Sequence, residues 1–165
     1  MDIRIRRAVA QDAQTLAYIQ TESWKSAFKG IIPDDTLASC TDLNRAQAMY
    51  ERTLNGQMGS GYILFLDGKA QTIAWWNAAR DEDLPIWAEL IMIHSLPEGR
   101  RKGCGRRMLE KVFEDVRAAG YKNIALWVFT KNTSARAFYE AMGFRPDGCT
   151  KLGFGAEEMR YAREL

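Results

Sequence analysis

The feature that most constrains the fold is a unit of strand, glycine turn, helix and strand in residues 87–130. WAELIMIHSL (87–96) is a long strand candidate, and Gly103 and Gly105 follow it in a turn rich in Arg and Lys. The apolar residues after this turn fall on one helical face, with charged residues on the other. IALWVFT (124–130) is nearly continuous and apolar, as expected for a strand covered on both faces. This order predicts an α/β unit whose turn lies at a helix N-terminus.

Apolar periodicity predicts further strands and helices along the chain. Asp67-Gly68 lies between two apolar runs and predicts a hairpin, because the tight turn requires positive φ at both central residues. Asp12 is a candidate cap for a first helix, and Gly30 and Pro33 favour a loop nearby. The other predicted elements are a strand over 3–8, a helix over 44–54, a short helix between Asn132 and Gly143, and a closing strand pair over 149–154 and 157–165.

The charge balance narrows the classes of partner. The chain has 165 residues, which suits one domain. It carries 23 Lys and Arg against 21 Asp and Glu, a net charge of +2. A dedicated nucleic-acid or membrane-surface protein would show a dominant charge sign, so we expect neither partner. An anion site must therefore come from local clustering of cations, as in residues 100–107.

Cysteine and histidine usage argues against a metal site. The three cysteines form no C-x-x-C pair, and His94 is the single histidine. The N-terminus lacks the apolar core of a signal peptide, and no apolar run reaches the roughly 20 residues that span a bilayer. We therefore expect a cytoplasmic protein without a metal ion.

The glycine turn admits three interpretations. A P-loop would require G-x-x-x-x-G-K-[ST], and a dinucleotide fingerprint would require a third small residue where Met108 stands. A tight turn with a solvated basic rim is the third interpretation. From the stretch alone, an anion site and this purely structural turn are about equally supported. The unpaired amides at a helix start, together with glycines that let an anion approach, make a phosphate cradle plausible.

The extended pattern resembles a known signature. Arg100-x-x-Gly103-x-Gly105, following a strand and Pro97, resembles the acyl-coenzyme A signature of the GNAT superfamily of N-acetyltransferases. ESWKSAFKGIIPDDTL (22–37) is similar to the acceptor-side helix and loop of one branch. The resemblance covers nearly all of residues 1–165. It implies a single α/β domain with a mixed, twisted sheet of about six to seven strands, flanked by about four helices.

This resemblance implies that the phosphates belong to acetyl-coenzyme A (acetyl-CoA), held by the amides of the turn. The strand before the turn would diverge from its parallel neighbour, often through a bulge, and bond the pantetheine arm. The family often has Val at Ser95 and a bulky residue such as Tyr at Gly99, so the chain departs from the pattern there. The residues implied in cofactor binding are Ile93, His94, Ser95, Arg100, Arg101, Lys102, Gly103, Cys104, Gly105, Arg106 and, from a second motif, Asn132, Ala137 and Tyr139.

Two residues are candidates for proton transfer. Tyr139 lies where the family places a tyrosine beside the sulfur, and a phenol stays protonated at neutral pH. Its alternative role is packing in the core. Glu89 is the candidate base, directly or through water, since a carboxylate in a central strand is costly unless satisfied. The alternative is that Glu89 is turned outward or paired with an arginine.

His94 and Cys104 are weaker candidates for chemistry. Glu89 and His94 are separated by an odd number of residues, so regular alternation places them on opposite faces unless a bulge intervenes. We therefore expect His94 to be structural or adjacent to the cofactor. Cys104 lies within the turn, where a backbone role is favoured over a nucleophilic one.

Aromatic residues are available for an acceptor cleft. Trp24 and Phe28 lie one helical turn apart, and Trp75 is a third candidate. The resemblance implies acetyl transfer to an amine by direct attack, with a small molecule or a peptide or protein N-terminus as acceptor, and leaves a homodimer open. The alternative function is a noncatalytic acyl-CoA binding or sensing module.

Overall fold

One mixed sheet of seven strands, with five α-helices against its faces, forms the computed structural model, which describes all 165 residues. The strands are β1 (Ile3–Arg7), β2 (Ser60–Leu66), β3 (Lys69–Ala78), β4 (Ala88–Ser95), β5 (Asn123–Phe129), β6 (Arg145–Gly153) and β7 (Ala156–Glu164). The helices are α1 (Ala13–Ala27), α2 (Asp34–Cys40), α3 (Leu43–Asn55), α4 (Cys104–Ala118) and α5 (Thr133–Ala141). The α/β fold prediction is confirmed, with one helix more than expected.

The sheet order is β1-β2-β3-β4-β5-β7-β6, and only the β4–β5 pair is parallel. Helix α4 connects these two strands, as a parallel pair requires a crossover. The turn at the end of β4 therefore leads directly into the N-terminus of α4, in the middle of the sheet.

Two apolar cores lie on opposite faces of the sheet. Helices α4 and α5 pack on one face, where the predicted stripe of α4 is at most 4% exposed. Helices α1 and α3 cover the other face through residues such as Leu16 and Tyr50. The stripe consists of Met108, Leu109, Val112, Phe113 and Val116.

The predicted turns and the predicted helix cap are confirmed at positions where the residue type favours one backbone conformation. Asp67 and Gly68 have φ values of 49° and 80°, as a two-residue hairpin turn with positive φ requires. Gly120 follows α4 with φ 96°. Asn132 caps α5 by accepting a hydrogen bond from the Ala135 amide at 3.2 Å.

Two local predictions are corrected. The Asp12 side chain does not cap α1; it accepts hydrogen bonds from the Val9 amide at 2.7 Å and from the Arg6 guanidinium at 2.7 and 2.9 Å. Helix α2 was not predicted, because it has only seven residues and buries only Leu37, too little for a visible period. No helix combines the length and apolarity needed to cross a bilayer.

Candidate active site

The turn before α4 presents a row of unpaired backbone amides. The Arg107 amide donates to the Gly103 carbonyl at 3.1 Å, and the six amides from Arg101 to Arg106 donate to no acceptor in the chain. Arg101 and Gly103 have φ values of 61° and 79°, and left-handed residues alternating with others form anion-binding nests. The helix dipole adds partial positive charge at this end. The backbone therefore has the geometry of an anion cradle.

Two glycines near this turn allow close packing. A Cβ at Gly105 would lie 3.3 Å from the Phe138 ring on α5, so α4 and α5 approach closely at the start of the groove. A Cβ at Gly99 would overlap the side chain of Gln71. The departure from a bulky residue at position 99 therefore has a physical reason: Gln71 occupies the space.

Strands β4 and β5 diverge immediately after they meet. They pair only at Ala88 with Ile124 and at Glu89 with Ala125. From Leu90 to Ser95 the edge of β4 that faces β5 has no strand partner. Backbone groups along this edge are available to a ligand, as the family resemblance implies.

An extra residue interrupts the pairing of β4 with β3. Trp76 lies opposite Leu90 and Trp75 lies opposite Met92, so Ile91 has no partner and forms a β-bulge. The bulge brings Glu89 and His94 to the same face of the sheet. Regular alternation would place these two side chains on opposite faces, and the bulge, which the sequence left open as the exception, is the arrangement present.

A cavity of about 1270 Å³ connects the cradle with both faces of the sheet through the gap between β4 and β5. On the α4 and α5 side it begins at the glycine turn. On the α1 and α3 side it reaches an aromatic wall and Glu89. The predicted residues that line it are Trp24, Phe28, Trp75, Glu89, Ile93, His94, Ser95, Arg100, Arg101, Gly103, Gly105, Arg106, Asn132 and Tyr139.

Three residues predicted for cofactor binding do not line this cavity. Ala137 lies on the exposed side of α5, whereas Ala135 faces the cavity. Cys104 is 1% exposed and packs in the core beneath α4, and Lys102 is exposed to solvent. Only the backbone amides of Lys102 and Cys104 remain available to the site. The resemblance implied Ala137, but the helix turns Ala135 toward the cavity instead.

Tyr139 is held by aromatic neighbours with its hydroxyl toward the cavity. Its ring packs against Phe138 and Phe144, with centroids 5.5 and 5.9 Å away. The hydroxyl has no hydrogen-bond partner in the chain and is not among the buried unpaired polar atoms, so it is accessible from the cavity. Burial raises the pKa of Tyr139, so the phenol is protonated at neutral pH.

Glu89 is 3% exposed and is paired with Arg80. Arg80 Nη2 donates to one carboxylate oxygen at 2.7 Å, and Arg80 Nε and its backbone amide donate to the other at 3.1 Å each. Pairing with an arginine, which the sequence left open as part of the alternative to a base, is the arrangement present. The buried charge is satisfied, and Glu89 still lines the cavity.

Aromatic rings form the acceptor-side wall. Trp24 and Phe28 pack edge to face at 4.9 Å, and Phe28 packs on Phe129 at the same distance. Phe154, at the tip of the β6–β7 hairpin, packs on Trp24 at 5.2 Å with φ 55°, an uncommon conformation for an aromatic residue. The wall therefore joins α1 to the last hairpin. Trp75 lies deeper, where its indole donates to the Met58 carbonyl at 2.9 Å.

The environment of His94 disfavours its charged form. Trp24 Nε1 donates to His94 Nε2 at 3.1 Å, and the imidazole packs against Trp24 and Phe28. Burial lowers the pKa of His94 to about 4, and the positive charge of Arg100 acts in the same direction. The imidazole is therefore neutral at physiological pH.

Protein stability should fall as pH decreases from about 6.5 to about 4, because the unfolded chain binds a proton at His94 that the folded chain does not. Because the pKa of His94 is lower in the folded protein, the neutral imidazole contributes up to about 3 kcal/mol to the free energy of unfolding above pH about 6.5. This contribution is lost as the pH falls through the folded pKa. Urea unfolding across this range should show a steeper pH dependence for the wild type than for His94→Phe. The wild type and His94→Phe contain the same carboxylates. An identical pH dependence of their free energies of unfolding would therefore contradict a buried neutral imidazole.

The cavity is also lined by residues that the sequence did not single out, among them Arg80, Lys151, Phe154 and Glu158. Glu158 lies opposite Lys151 in the last hairpin, and burial raises the pKa of Glu158 while Lys151 opposes the shift. Lys151 itself lies 4.2 Å from the centre of the Trp127 ring. Alternation along β6 and β7 predicts which side chains share a face with Lys151 and Glu158. Only the sheet order shows that this face lies beside β5.

Comparison with known proteins agrees with this arrangement. Residues 24–144 match the model of the acetyltransferase (GNAT) family. The chain is 27% identical over 148 residues to the spermidine N(1)-acetyltransferase of Thermoplasma acidophilum, covering 88% of this chain and 89% of that protein. It is 31% identical over 97 residues to the [ribosomal protein bS18]-alanine N-acetyltransferase of Salmonella typhimurium, covering 57% of this chain and 62% of that protein.

Solved structures have the same fold. The PaiA N-acetyltransferase from Thermoplasma acidophilum in complex with coenzyme A superposes with a TM-score of 0.81 at 19% identity, over 100% of both chains. At this identity the likeness concerns the fold alone. The family match covers the diverging strands, the cradle and Tyr139. The chain belongs to the acetyltransferase (GNAT) family.

Proposed function

We propose that the protein transfers an acetyl group from acetyl-CoA to a primary amine by direct attack in a ternary complex. The observation that carries this proposal is the row of six unpaired amides, Arg101 to Arg106, opening onto a cavity that passes between β4 and β5. A cradle at one end and an aromatic, carboxylate-containing wall at the other would accommodate two substrates side by side. Such alignment lowers the barrier without a covalent enzyme intermediate.

The residues present fit coenzyme A. The amides from Arg101 to Arg106 would hold the pyrophosphate, with Arg100 and Arg106 adding positive charge at the groove. The unpaired edge of β4 from Ile93 to Ser95 would bond the amides of the pantetheine arm. When bound, acetyl-CoA supplies an activated acetyl thioester. No group of three or more His, Cys, Asp or Glu is placed to hold a metal ion.

Two side chains would manage the protons. Tyr139 would donate its phenolic proton to the leaving sulfur as the carbon–sulfur bond breaks. Glu89 would accept a proton from the attacking amine, directly or through water, as the carbon–nitrogen bond forms. Its ion pair with Arg80 holds the carboxylate in place. The pH–rate profile of Glu89→Gln tests this role, and an unchanged acidic limb would remove Glu89 from it.

The acceptor proposed is a small amine or the N-terminus of a peptide or protein. Relatives named for spermidine and for a ribosomal-protein alanine support both classes. Trp24, Phe28 and Trp75 would contact the acceptor from the α1 side of the cavity. A cytoplasmic location is also proposed, because all three cysteines are unpaired, as in a reducing compartment. Size-exclusion chromatography would decide between a monomer and a homodimer.

Thiol release tests the proposal. Incubation with acetyl-CoA and a panel of amines should release free coenzyme A thiol, and isothermal titration should detect acetyl-CoA binding. Binding without thiol release for any amine would favour the noncatalytic acyl-CoA module. The Tyr139 hydroxyl facing the cavity, together with an acceptor-side wall, supports catalysis instead.

Gly105→Val should weaken acetyl-CoA binding about tenfold or more. A Cβ at this position would already lie 3.3 Å from the Phe138 ring, and the branched side chain would fill part of the groove between α4 and α5. Ala118→Val, which introduces the same side chain at an exposed position of the same helix, should leave the affinity for acetyl-CoA unchanged. Equal affinities of the two variants in isothermal titration would show that the ligand does not pass Gly105.

A further inference from the structure

The hydrogen bond between Trp24 and His94 fixes the position of the imidazole proton. An indole N–H can donate but cannot accept, so Nε2 of His94 must be the acceptor in the 3.1 Å contact. A neutral imidazole with an unprotonated Nε2 carries its proton on Nδ1. The second nitrogen of His94 is therefore a donor.

This donor has no partner within the protein. No side-chain or backbone oxygen accepts from His94 Nδ1, and the atom is not among the buried unpaired polar atoms, so it contacts the cavity. The bulge at Ile91 places His94 on the face of β4 that carries Glu89. The ring is held between Trp24 and Phe28, with centroids 6.2 and 6.5 Å away. Its orientation is therefore fixed by three contacts before any ligand binds.

We propose that His94 is a hydrogen-bond donor, through Nδ1–H, to a carbonyl oxygen of a bound ligand, and that it is not the base that deprotonates the amine. The lone pair that a base would use is occupied by the Trp24 N–H. A carbonyl oxygen matches a neutral N–H donor in a largely aromatic setting, where an unpaired donor is costly. The oxygen can belong to the pantetheine arm or to the acceptor, and for the identity of the ligand the inference rests on the proposed function.

The single histidine makes the tautomer directly measurable. Long-range ¹H–¹⁵N NMR of the wild-type protein should show a protonated Nδ1 and an unprotonated Nε2 at pH 7. Trp24→Phe should release Nε2 and allow the other tautomer to appear. A proton on Nε2 in the wild type would overturn the inference, whether or not any variant folds.

Ligand titrations separate the two sources of the oxygen. Coenzyme A alone should move the Nδ1–H signal downfield if the pantetheine arm supplies the carbonyl. If the acceptor supplies it, the signal should move only when a tripeptide amide is added to the coenzyme A complex. Spermidine has amines but no carbonyl and should not move the signal. A signal that no ligand moves, or that only spermidine moves, would overturn the inference.

Isothermal titration on the same samples distinguishes this failure from that of the proposed function. If coenzyme A binds but neither coenzyme A nor the added tripeptide amide moves the Nδ1–H signal, only the role of His94 is overturned. Absence of coenzyme A binding would overturn the proposed function itself.

Two substitutions at His94 separate a donor from a base. The amide nitrogen of Asn occupies a position close to that of Nδ1, so His94→Asn should retain kcat/KM within about threefold. His94→Leu removes the donor and should lower kcat/KM about tenfold. Arg117→Gln, an exposed change on α4, is the control for surface effects. Equal losses in the Asn and Leu variants would favour a base and overturn the donor role.

Discussion

Tyr139→Phe should lower kcat about 100-fold while changing acetyl-CoA affinity little. The hydroxyl has no partner in the chain, so its removal breaks no internal hydrogen bond. The phenyl ring keeps its packing against Phe138 and Phe144, so the groove should retain its shape. General acid catalysis typically contributes 10²–10⁴-fold, and loss of the proton donor to the leaving sulfur removes that contribution. Steady-state kinetics and isothermal titration measure the two quantities separately.

Tyr121→Phe is the matched control for this substitution. Tyr121 packs on Trp76 with centroids 5.8 Å apart and lies outside the cavity, so loss of its hydroxyl should leave kcat unchanged. A Tyr139→Phe enzyme with wild-type kcat would reject the acid role and leave Tyr139 as a packing residue.

Arg80→Met should destabilise the protein by about 2 kcal/mol. Glu89 is 3% exposed, and the substitution removes the two guanidinium hydrogen bonds that satisfy its carboxylate. Arg80 is largely exposed, but its removal leaves the buried carboxylate of Glu89 without a counter-charge, which costs more than the pair itself contributes. Urea unfolding at neutral pH gives the free-energy difference.

A second substitution identifies the cause. Glu89→Gln in the Arg80→Met background should recover much of the lost stability, since a neutral amide is less costly to bury. Lys25→Met breaks an exposed pair with Glu22 and should change stability by about 0.5 kcal/mol or less. A loss below about 1 kcal/mol in Arg80→Met would indicate that water reaches Glu89.

Local signals made the cradle and its flanking elements predictable from the sequence. The stripe of α4, the Asp67-Gly68 turn and the Asn132 cap each depend on residues within a few positions of one another. The glycine turn is of the same kind, because its unpaired amides follow from a helix start and a left-handed Gly103. These features can be predicted without knowing how the remaining chain folds.

The acceptor side depends on contacts between distant segments and was only partly predictable. Trp24 and Phe28 were identified from helical spacing, and the structure places both at the cavity. The Arg80 partner of Glu89 could not be chosen among many arginines, because a loop brings it there. Glu158 and Phe154 reach the cavity only through the pairing of β7 with β5. Ala137 was misplaced because α5 is rotated so that Ala135 faces inward.

The unpaired Ile91 shifts the alternation of side chains along β4 by one residue. Residues before it and residues after it alternate in opposite phase, so a strand of the same length that paired without the bulge would carry His94 to the α4 side while Glu89 stayed in place. The bulge, and not only the identity of the residues, therefore determines which chemical groups meet the acceptor. Two related chains with the same residues in this strand, one paired with the bulge and one without it, would offer different surfaces to their substrates.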